Sequence, residues 1–326
     1  MEAVSLARHA MATRFELVLH GPSALALRAA GEEALDEVVR LENQLSLFRP
    51  GSEIAQLNSR AAHEAVSVSP EVFALLQHAR KLSKETSGAF DITIAPLVCC
   101  WGFMEGQGRL PTAQEIAAAR DRVGMNKVEL DPVNRTVRFV RDGVMLDLGA
   151  IGKGYAVERA GSILREAGVT SALIHGGTST VCAIGHPPDA DDWKIALDVP
   201  AECELLSLAR SAVSVPRQPA DPTLGAPITI PLRNASLSVS AASGRYFKFA
   251  GKLYSHVIDP RTGLPTETAL LAAIVQPSAT ETDALSTALL TLGLAGQDQI
   301  TSLRAGMKSL VVGWRENTLQ AASFGL

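Results

Sequence analysis

Val137-Arg138-Phe139-Val140-Arg141-Asp142-Gly143-Val144-Met145-Leu146-Asp147-Leu148-Gly149-Ala150-Ile151-Gly152-Lys153-Gly154 is the stretch that decides how this chain folds. Two apolar runs, Val137 to Val140 and Val144 to Leu148, flank Arg141-Asp142-Gly143, which predicts an antiparallel hairpin. The pattern then changes. Glycines at 149, 152 and 154 make a turn, and Val157, Ala160, Ile163 and Leu164 follow at helical spacing as far as Gly168. A hairpin that feeds a helix, with no steady strand–helix alternation around it, predicts an α+β fold with a largely antiparallel sheet.

Upstream, Thr13 to His20 reads as a half-buried strand with Phe15, Leu17 and Leu19 on one face. Leu35, Val38, Val39 and Leu45 recur at helical spacing beyond Gly21-Pro22, so a long amphipathic helix follows. Ser69-Pro70-Glu71 places Pro at a first helical position and predicts a helix through Phe73, Leu76 and Ala79 that stops near Gly88. Thr112-x-x-Glu115 is a capping signature for a helix ending by Gly124. Downstream, strand patterns dominate from Ala172 to Ile258. Ser278-x-x-Glu281 then opens a helix through Leu289, and short strands at Ser309 to Gly313 and Leu319 to Phe324 end the chain. The Pro-rich tract from Val215 to Pro231 is the candidate excursion or lobe boundary.

Of the 326 residues 47% are hydrophobic and 20% charged, enough to bury one large or two intimately joined cores. Thirty basic against 34 acidic side chains give a formal charge of −4, and no Lys/Arg cluster gives nucleic acid or an anionic membrane a place to bind. Cys99, Cys100, Cys182 and Cys203 contain no CxxC pair or zinc spacing, and are expected to be reduced and apolar. No basic and apolar leader, and no uninterrupted apolar window of about 18 residues, interrupts the pattern, so a cytoplasmic chain with no membrane anchor is expected.

Several segments carry chemistry. Tyr254-Ser255-His256-Val257-Ile258-Asp259-Pro260-Arg261-Thr262-Gly263 sets an imidazole, a carboxylate and a guanidinium on a Pro/Gly turn at a strand end. By residue types alone it reads equally as a binding loop or as a hairpin end with a solvated Arg and a core His. Asp283 and Thr287 stand four apart, so a carboxylate and a hydroxyl project from one helix face; they are a hard-oxygen pair suited to Mg2+, or first-turn residues that favour the helix dipole. The Gly149 to Gly154 turn offers helix N-terminal N–H groups and Lys153 to an anion, without P-loop or GxGxxG spacing. Ser87 to Pro96, with Trp101-Gly102-Phe103, puts Asp91 and aromatics where they suit a heterocycle, or simply cap a turn over a core Phe. His175-Gly176-Gly177 resembles a lipase oxyanion loop, but there is no Gly-x-Ser-x-Gly elbow to supply a nucleophile, which removes that hydrolase reading.

Taken in order, these segments resemble the ApbE family of magnesium-dependent FAD:protein FMN transferases. The resemblance rests on Met11-Ala12-Thr13; Gly88-Ala89-Phe90-Asp91 with Pro96 and Trp101-Gly102-Phe103; Leu146 to Tyr155; Ser243-Gly244 with Tyr246; Tyr254 to Gly263; and Asp283 to Thr287. It implies a single domain over residues 1–326, two-lobed, with FAD in a central cleft. It also implies an enzyme that splits the FAD pyrophosphate, attaches FMN to a Ser or Thr of an acceptor flavoprotein and releases AMP. By the same resemblance Asp283, Thr287 and the Ala150 carbonyl hold Mg2+. Met11, Ala89, Phe90, Asp91, Lys153 and Ser243 bind FAD, with His256, Asp259 and Arg261 at its phosphate end.

In the mechanism this implies, Lys153 stabilises charge at phosphorus and His256 takes the hydroxyl proton, an imidazole having an ordinary pKa of about 6.5. Two departures stand out. His175-Gly176-Gly177-Thr178 replaces an Asn-x-Gly-Gly-Asp-like stretch, and Arg245 replaces an acidic or amide residue. Two other functions share the same residues: an FAD pyrophosphatase in which water replaces the acceptor, and a flavin-binding or delivery protein without turnover.

Overall fold

The computed structural model describes residues 1–197, 228–244, 246–316 and 318–326. In chain order the elements are β1 (Glu2–Ala10), β2 (Thr13–Gly21), α1 (Ala24–Leu45), α2 (Glu53–Arg60), β3 (Val66–Ser67), α3 (Pro70–Glu85), α4 (Ala95–Cys100), α5 (Ala113–Arg120), β4 (Val128–Asp131), β5 (Thr136–Phe139), α6 (Gly152–Glu166), β6 (Ser171–Gly176), β7 (Thr180–Ile184) and β8 (Trp193–Leu197). There follow β9 (Ile228–Leu232), β10 (Ser236–Ala241), β11 (Tyr246–Phe249), β12 (Lys252–Ser255), β13 (Ala269–Gln276), α7 (Ala279–Leu292), α8 (Gln297–Thr301), β14 (Lys308–Arg315) and β15 (Thr318–Phe324). The chain divides into two compact units, one of Met1–Val39, Lys153–Ala241 and Thr268–Leu326, the other of Arg40–Gly152 and Ala242–Glu267.

The first unit is built on an eight-stranded sheet in the order β1-β2-β6-β7-β10-β13-β14-β15, antiparallel throughout. β13 lies inside the sheet with both faces covered, which is why its sequence, Ala-Leu-Leu-Ala-Ala-Ile-Val-Gln, is an apolar run and not an alternation. On one face the antiparallel β8–β9 pair closes a core of Ile195, Ile230, Leu237, Leu271 and Leu310. Full burial of such an aliphatic side chain contributes about 1.5–3 kcal/mol. On the opposite face α7 packs along β10 and β13, and α6 comes close enough that Gly161 faces Ile174 and Cys182.

The second unit holds the small sheet β3-β5-β4, helices α2 to α5 and the β11–β12 hairpin. Leu97, Trp101, Phe103, Val123 and Ile258 form a core there, with Phe247 and Tyr254 packed on it. The capping signals act as expected: Ser69 accepts from the Val72 N–H, and Thr112 and Glu115 complete a reciprocal box. At α7 only half the box forms. Ser278 accepts from the Glu281 N–H, while the Glu281 side chain turns to a bidentate pair with Arg304.

The α+β, largely antiparallel expectation holds, but the hairpin at Arg141-Asp142-Gly143 does not. β5 pairs instead with β4, around a turn in which Asp131 accepts from the Val133 and Asn134 N–H groups. Val144, Leu146 and Leu148 are buried, but their segment is unpaired with any strand among the described residues, because its polar backbone is satisfied otherwise. The Asn58 amide brackets Leu146, its Oδ1 accepting the Leu146 N–H at 2.7 Å and its Nδ2 donating to the Leu146 carbonyl at 2.9 Å, and the Asp147 N–H donates to the Ile92 carbonyl. Strand β1, not among the expected elements, pairs with all of β2. Cys100 and Cys182 are buried and free, but Cys99, also free, is exposed rather than apolar-packed, and Cys203 lies outside the described residues. Most of the Val215 to Pro231 tract is also outside them; its last residues, from Ile228, belong to β9.

Candidate active site

In the first unit the candidate residues sit on three elements. Met11 and Ala12 form the two-residue turn between β1 and β2, with φ of 51° and 57°. Such a turn requires left-handed backbone at both positions, normally supplied by Asn or Gly, so two ordinary residues hold it under strain. Lys153 is the second residue of α6 and half-buried. Asp283 and Thr287 lie one turn apart on α7, Asp283 only 4% exposed.

Asp283, a residue of α7, serves α6. The Gly154 N–H is one of the first donors of α6, which have no acceptor within the helix; it donates to Asp283 Oδ2 at 2.8 Å. The approach depends on Gly154 having no side chain, since a Cβ there would stand 2.6 Å from Asp283 Cβ and closer still to the Ala279 carbonyl oxygen. The favour is returned. Glu158 of α6 accepts from the Ser278 hydroxyl at 2.6 Å and from the Thr280 N–H at 2.9 Å, capping the N-terminus of α7. Each helix therefore begins against a carboxylate supplied by the other.

Among the described residues Asp283 Oδ1 receives the Thr180 hydroxyl alone, at 3.5 Å. A buried carboxylate so sparsely compensated suits a cation. Beyond it a chain of hydroxyls runs between strands and helix: Ser238 reaches Thr180 at 3.2 Å and Thr282 at 2.8 Å, and Ser240 reaches Ser286 at 2.9 Å and Thr287 at 3.2 Å. The oxygens are hard donors, the chemistry Mg2+ prefers. Among the described residues no group of three or more His, Cys, Asp or Glu could hold a metal, so any cation here takes hydroxyl or carbonyl oxygens beside Asp283.

In the second unit three quoted segments converge. Asp259 accepts from Arg261 through Nε at 2.9 Å and Nη2 at 2.7 Å, and from the Arg261 N–H, so the guanidinium is held in a fork two residues from its partner. Hydrogen bonding to Asp259 pushes the guanidinium's pKa above its already high ordinary value. The turn is closed by Gly263 N–H to Asp259 carbonyl and buttressed by Trp101 Nε1, which donates to the Gly263 carbonyl at 2.8 Å. Arg261 runs alongside Gly88, and His256 meets Phe103 edge-on with ring centroids 6.4 Å apart. Phe247 and Tyr254 stack at 5.0 Å against the same aromatic group.

Ala89 and Phe90 are buried in this unit, and Asp91 is engaged within it. Its carboxylate accepts from Ser83 Oγ, the Met125 N–H, the Thr93 N–H and Thr93 Oγ at 2.6–3.0 Å, so Asp91 fixes the Gly88–Thr93 corner. Ala150 lies half-buried in the turn before α6, and Ser243 is exposed beyond β10. His175 faces Glu16 across β2 and β6; burial lowers its pKa, with Glu16 acting in the opposite sense. Thr178 is exposed in the β6–β7 turn, and Arg245 lies outside the described residues.

Glu158, Thr180 and Ser240 join these contacts without being among the residues expected from the sequence. The alternation Ser236-Leu237-Ser238-Val239-Ser240 carried the signal, a polar stripe on one face of a strand whose other face is core.

The ApbE family model matches residues 11–311. The chain belongs to the ApbE family. Among curated relatives of this ApbE-family chain, a Klebsiella pneumoniae (strain 342) protein named FAD:protein FMN transferase is 29% identical over 287 residues, covering 86% of this chain and 82% of that one. An Escherichia coli K12 protein of the same name is 26% identical over 254 residues, covering 76% and 67%. Among solved structures, the ApbE protein of Thermotoga maritima aligns with a TM-score of 0.81 at 26% identity, covering 98% of this chain and 96% of that one. The Pseudomonas stutzeri flavinyl transferase ApbE in its apo form aligns at 0.80 and 26%, covering 99% and 94%.

Proposed function

We propose that this chain is an FAD:protein FMN transferase. The observation that carries the reading is the family match over residues 11–311, together with relatives named for that activity along most of their length. The Asp283–Thr287 pair and the Asp259–Arg261 turn support it as built features of their units. In the reaction, a Ser or Thr hydroxyl oxygen of an acceptor protein attacks the phosphorus on the riboflavin side of FAD. The bond from that phosphorus to the bridging oxygen breaks, AMP leaves with the oxygen, and the acceptor carries FMN as a phosphoester.

His256 takes the proton from the attacking hydroxyl, as an imidazole does near neutrality. Lys153, at the N-terminal turn of α6, and Arg261, with donors to spare beyond its fork to Asp259, stabilise the anionic oxygens. Asp259 acts by aiming Arg261. Met11, Ala89, Phe90 and Ser243 line the flavin dinucleotide, and Asp91 holds its corner in shape. Asp283 Oδ1, Thr287 and the Ala150 carbonyl would hold Mg2+, which when bound neutralises charge on the pyrophosphate.

Incubation with FAD and Mg2+, with and without a candidate acceptor, tests the reading. Flavin fluorescence that stays with the denatured acceptor, with AMP released in equal amount, supports it. Free FMN and AMP in both samples mark a pyrophosphatase instead, and unchanged FAD marks a binding protein. His256→Ala is expected to bind FAD as the parent does while transfer falls by about 10²-fold or more; transfer at the parent rate removes His256 from the base role.

A further inference from the structure

We propose that Ser240 is a positioning residue that sets the proton of the Thr287 hydroxyl, and so makes that hydroxyl a competent metal ligand. The inference rests on the metal reading above and goes beyond its ligand set. A hydroxyl on a helix ordinarily gives its proton to the carbonyl four residues back. Thr287 has that option, the Asp283 carbonyl at 3.3 Å. Ser240 on β10 stands 3.2 Å from the same hydroxyl and 2.9 Å from Ser286, whose own hydroxyl donates to the Asp283 carbonyl at 3.0 Å.

One carbonyl thus has two hydroxyls competing for it, and Ser240 resolves the competition. A Ser240 proton given to Thr287 would occupy a lone pair there; given to Ser286 instead, with the Ser240 oxygen accepting from Thr287, it leaves the Thr287 lone pairs for a cation, and the Asp283 carbonyl serves Ser286. Nothing else in the described polar chain does this for Thr287: Ser238 and Thr180 serve Asp283 and Thr282. Groups that orient a metal ligand from behind change metal affinity about 10–100-fold when removed.

The test uses Mn2+ as the probe, with binding to the full chain followed by electron paramagnetic resonance. Ser240→Ala is expected to raise the Mn2+ dissociation constant about tenfold, and Ser240→Thr, which keeps the hydroxyl, to restore it. Ser236→Ala is the control for loss of a hydroxyl from the same strand, since Ser236 bonds the Pro277 carbonyl and not α7's ligands; it is expected to bind Mn2+ as the parent does. Parent-like Mn2+ affinity in Ser240→Ala, or equal weakening in Ser236→Ala, overturns the inference while leaving the metal reading in place. Absence of saturable Mn2+ binding by the parent, or binding undiminished in Asp283→Ala, overturns both.

Discussion

Replacing Gly154 by alanine tests the joint between α6 and α7. In an ordinary helix interior this change stabilises by about 1 kcal/mol through backbone entropy. Here the new methyl would sit 2.6 Å from Asp283 Cβ and nearer still to the Ala279 carbonyl oxygen, with ordinary contact beginning near 3.4 Å, so the helices must part by close to 1 Å. Overpacking of this kind costs about 1–3 kcal/mol, and lengthening the Gly154 N–H bond to a buried carboxylate costs about 1.5–3 kcal/mol more. Net of the entropy gain, a loss of about 3 kcal/mol is expected. The assay is urea unfolding followed by circular dichroism, with Gly161→Ala as the comparison. Gly161 is in the same helix, but its added methyl meets Arg165 Nη1 at 3.2 Å and Ile174 Cδ1 at 3.4 Å, both ends of side chains able to give way. Gly161→Ala is expected within about 1 kcal/mol of the parent. Equal stability of the two variants refutes the reasoning, because it would mean the close approach does no mechanical work.

Other outcomes follow from particular contacts. Ala12→Gly relieves one left-handed residue of the β1–β2 turn and is expected to stabilise by about 1 kcal/mol in the same urea assay. Mg2+ is expected to raise the melting temperature of the parent and not of Asp283→Asn, since an ion that binds only the folded form stabilises by mass action. Hydrogen bonds from the Thr112 backbone, Arg109 and the Thr112 hydroxyl hold the Glu115 carboxyl at about 2, below its ordinary 4.5. Because the folded value is the lower one, its contribution to α5 is complete above about pH 4.5 and fades as pH falls toward about 2. Carboxyl-carbon NMR should show Glu115 titrating near 2, and Glu115→Gln should flatten the acid limb of stability over that window.

What the sequence revealed depended on whether a signal was local. The N-caps at Ser69, Thr112 and Ser278 were legible because a cap is written within four residues. The turn at Pro260 to Gly263 was legible for the same reason, whereas the pairing of Asp259 with Arg261 within it was not among the expectations. Val144 to Leu148 misled because its apolar pattern matches a strand, while its actual partner is the side chain of Asn58, 88 residues from Leu146. Glu158 was invisible because its partners Ser278 and Thr280 lie about 120 residues on, and nothing near it in the chain marks a cap. The structural part Asp91 plays was not legible, because two of its four donors, the Ser83 hydroxyl and the Met125 N–H, come from segments that only folding brings to it.

The reciprocal capping of α6 and α7 bears on how related chains should be read. Asp283 holds a helix terminus whether or not it ever meets a metal, so a descendant that had abandoned catalysis would still be selected to retain it. Its presence in a sequence is therefore poor evidence of a living enzyme, whereas losing the hydroxyl at 287, which caps nothing, would be the earlier mark of retirement.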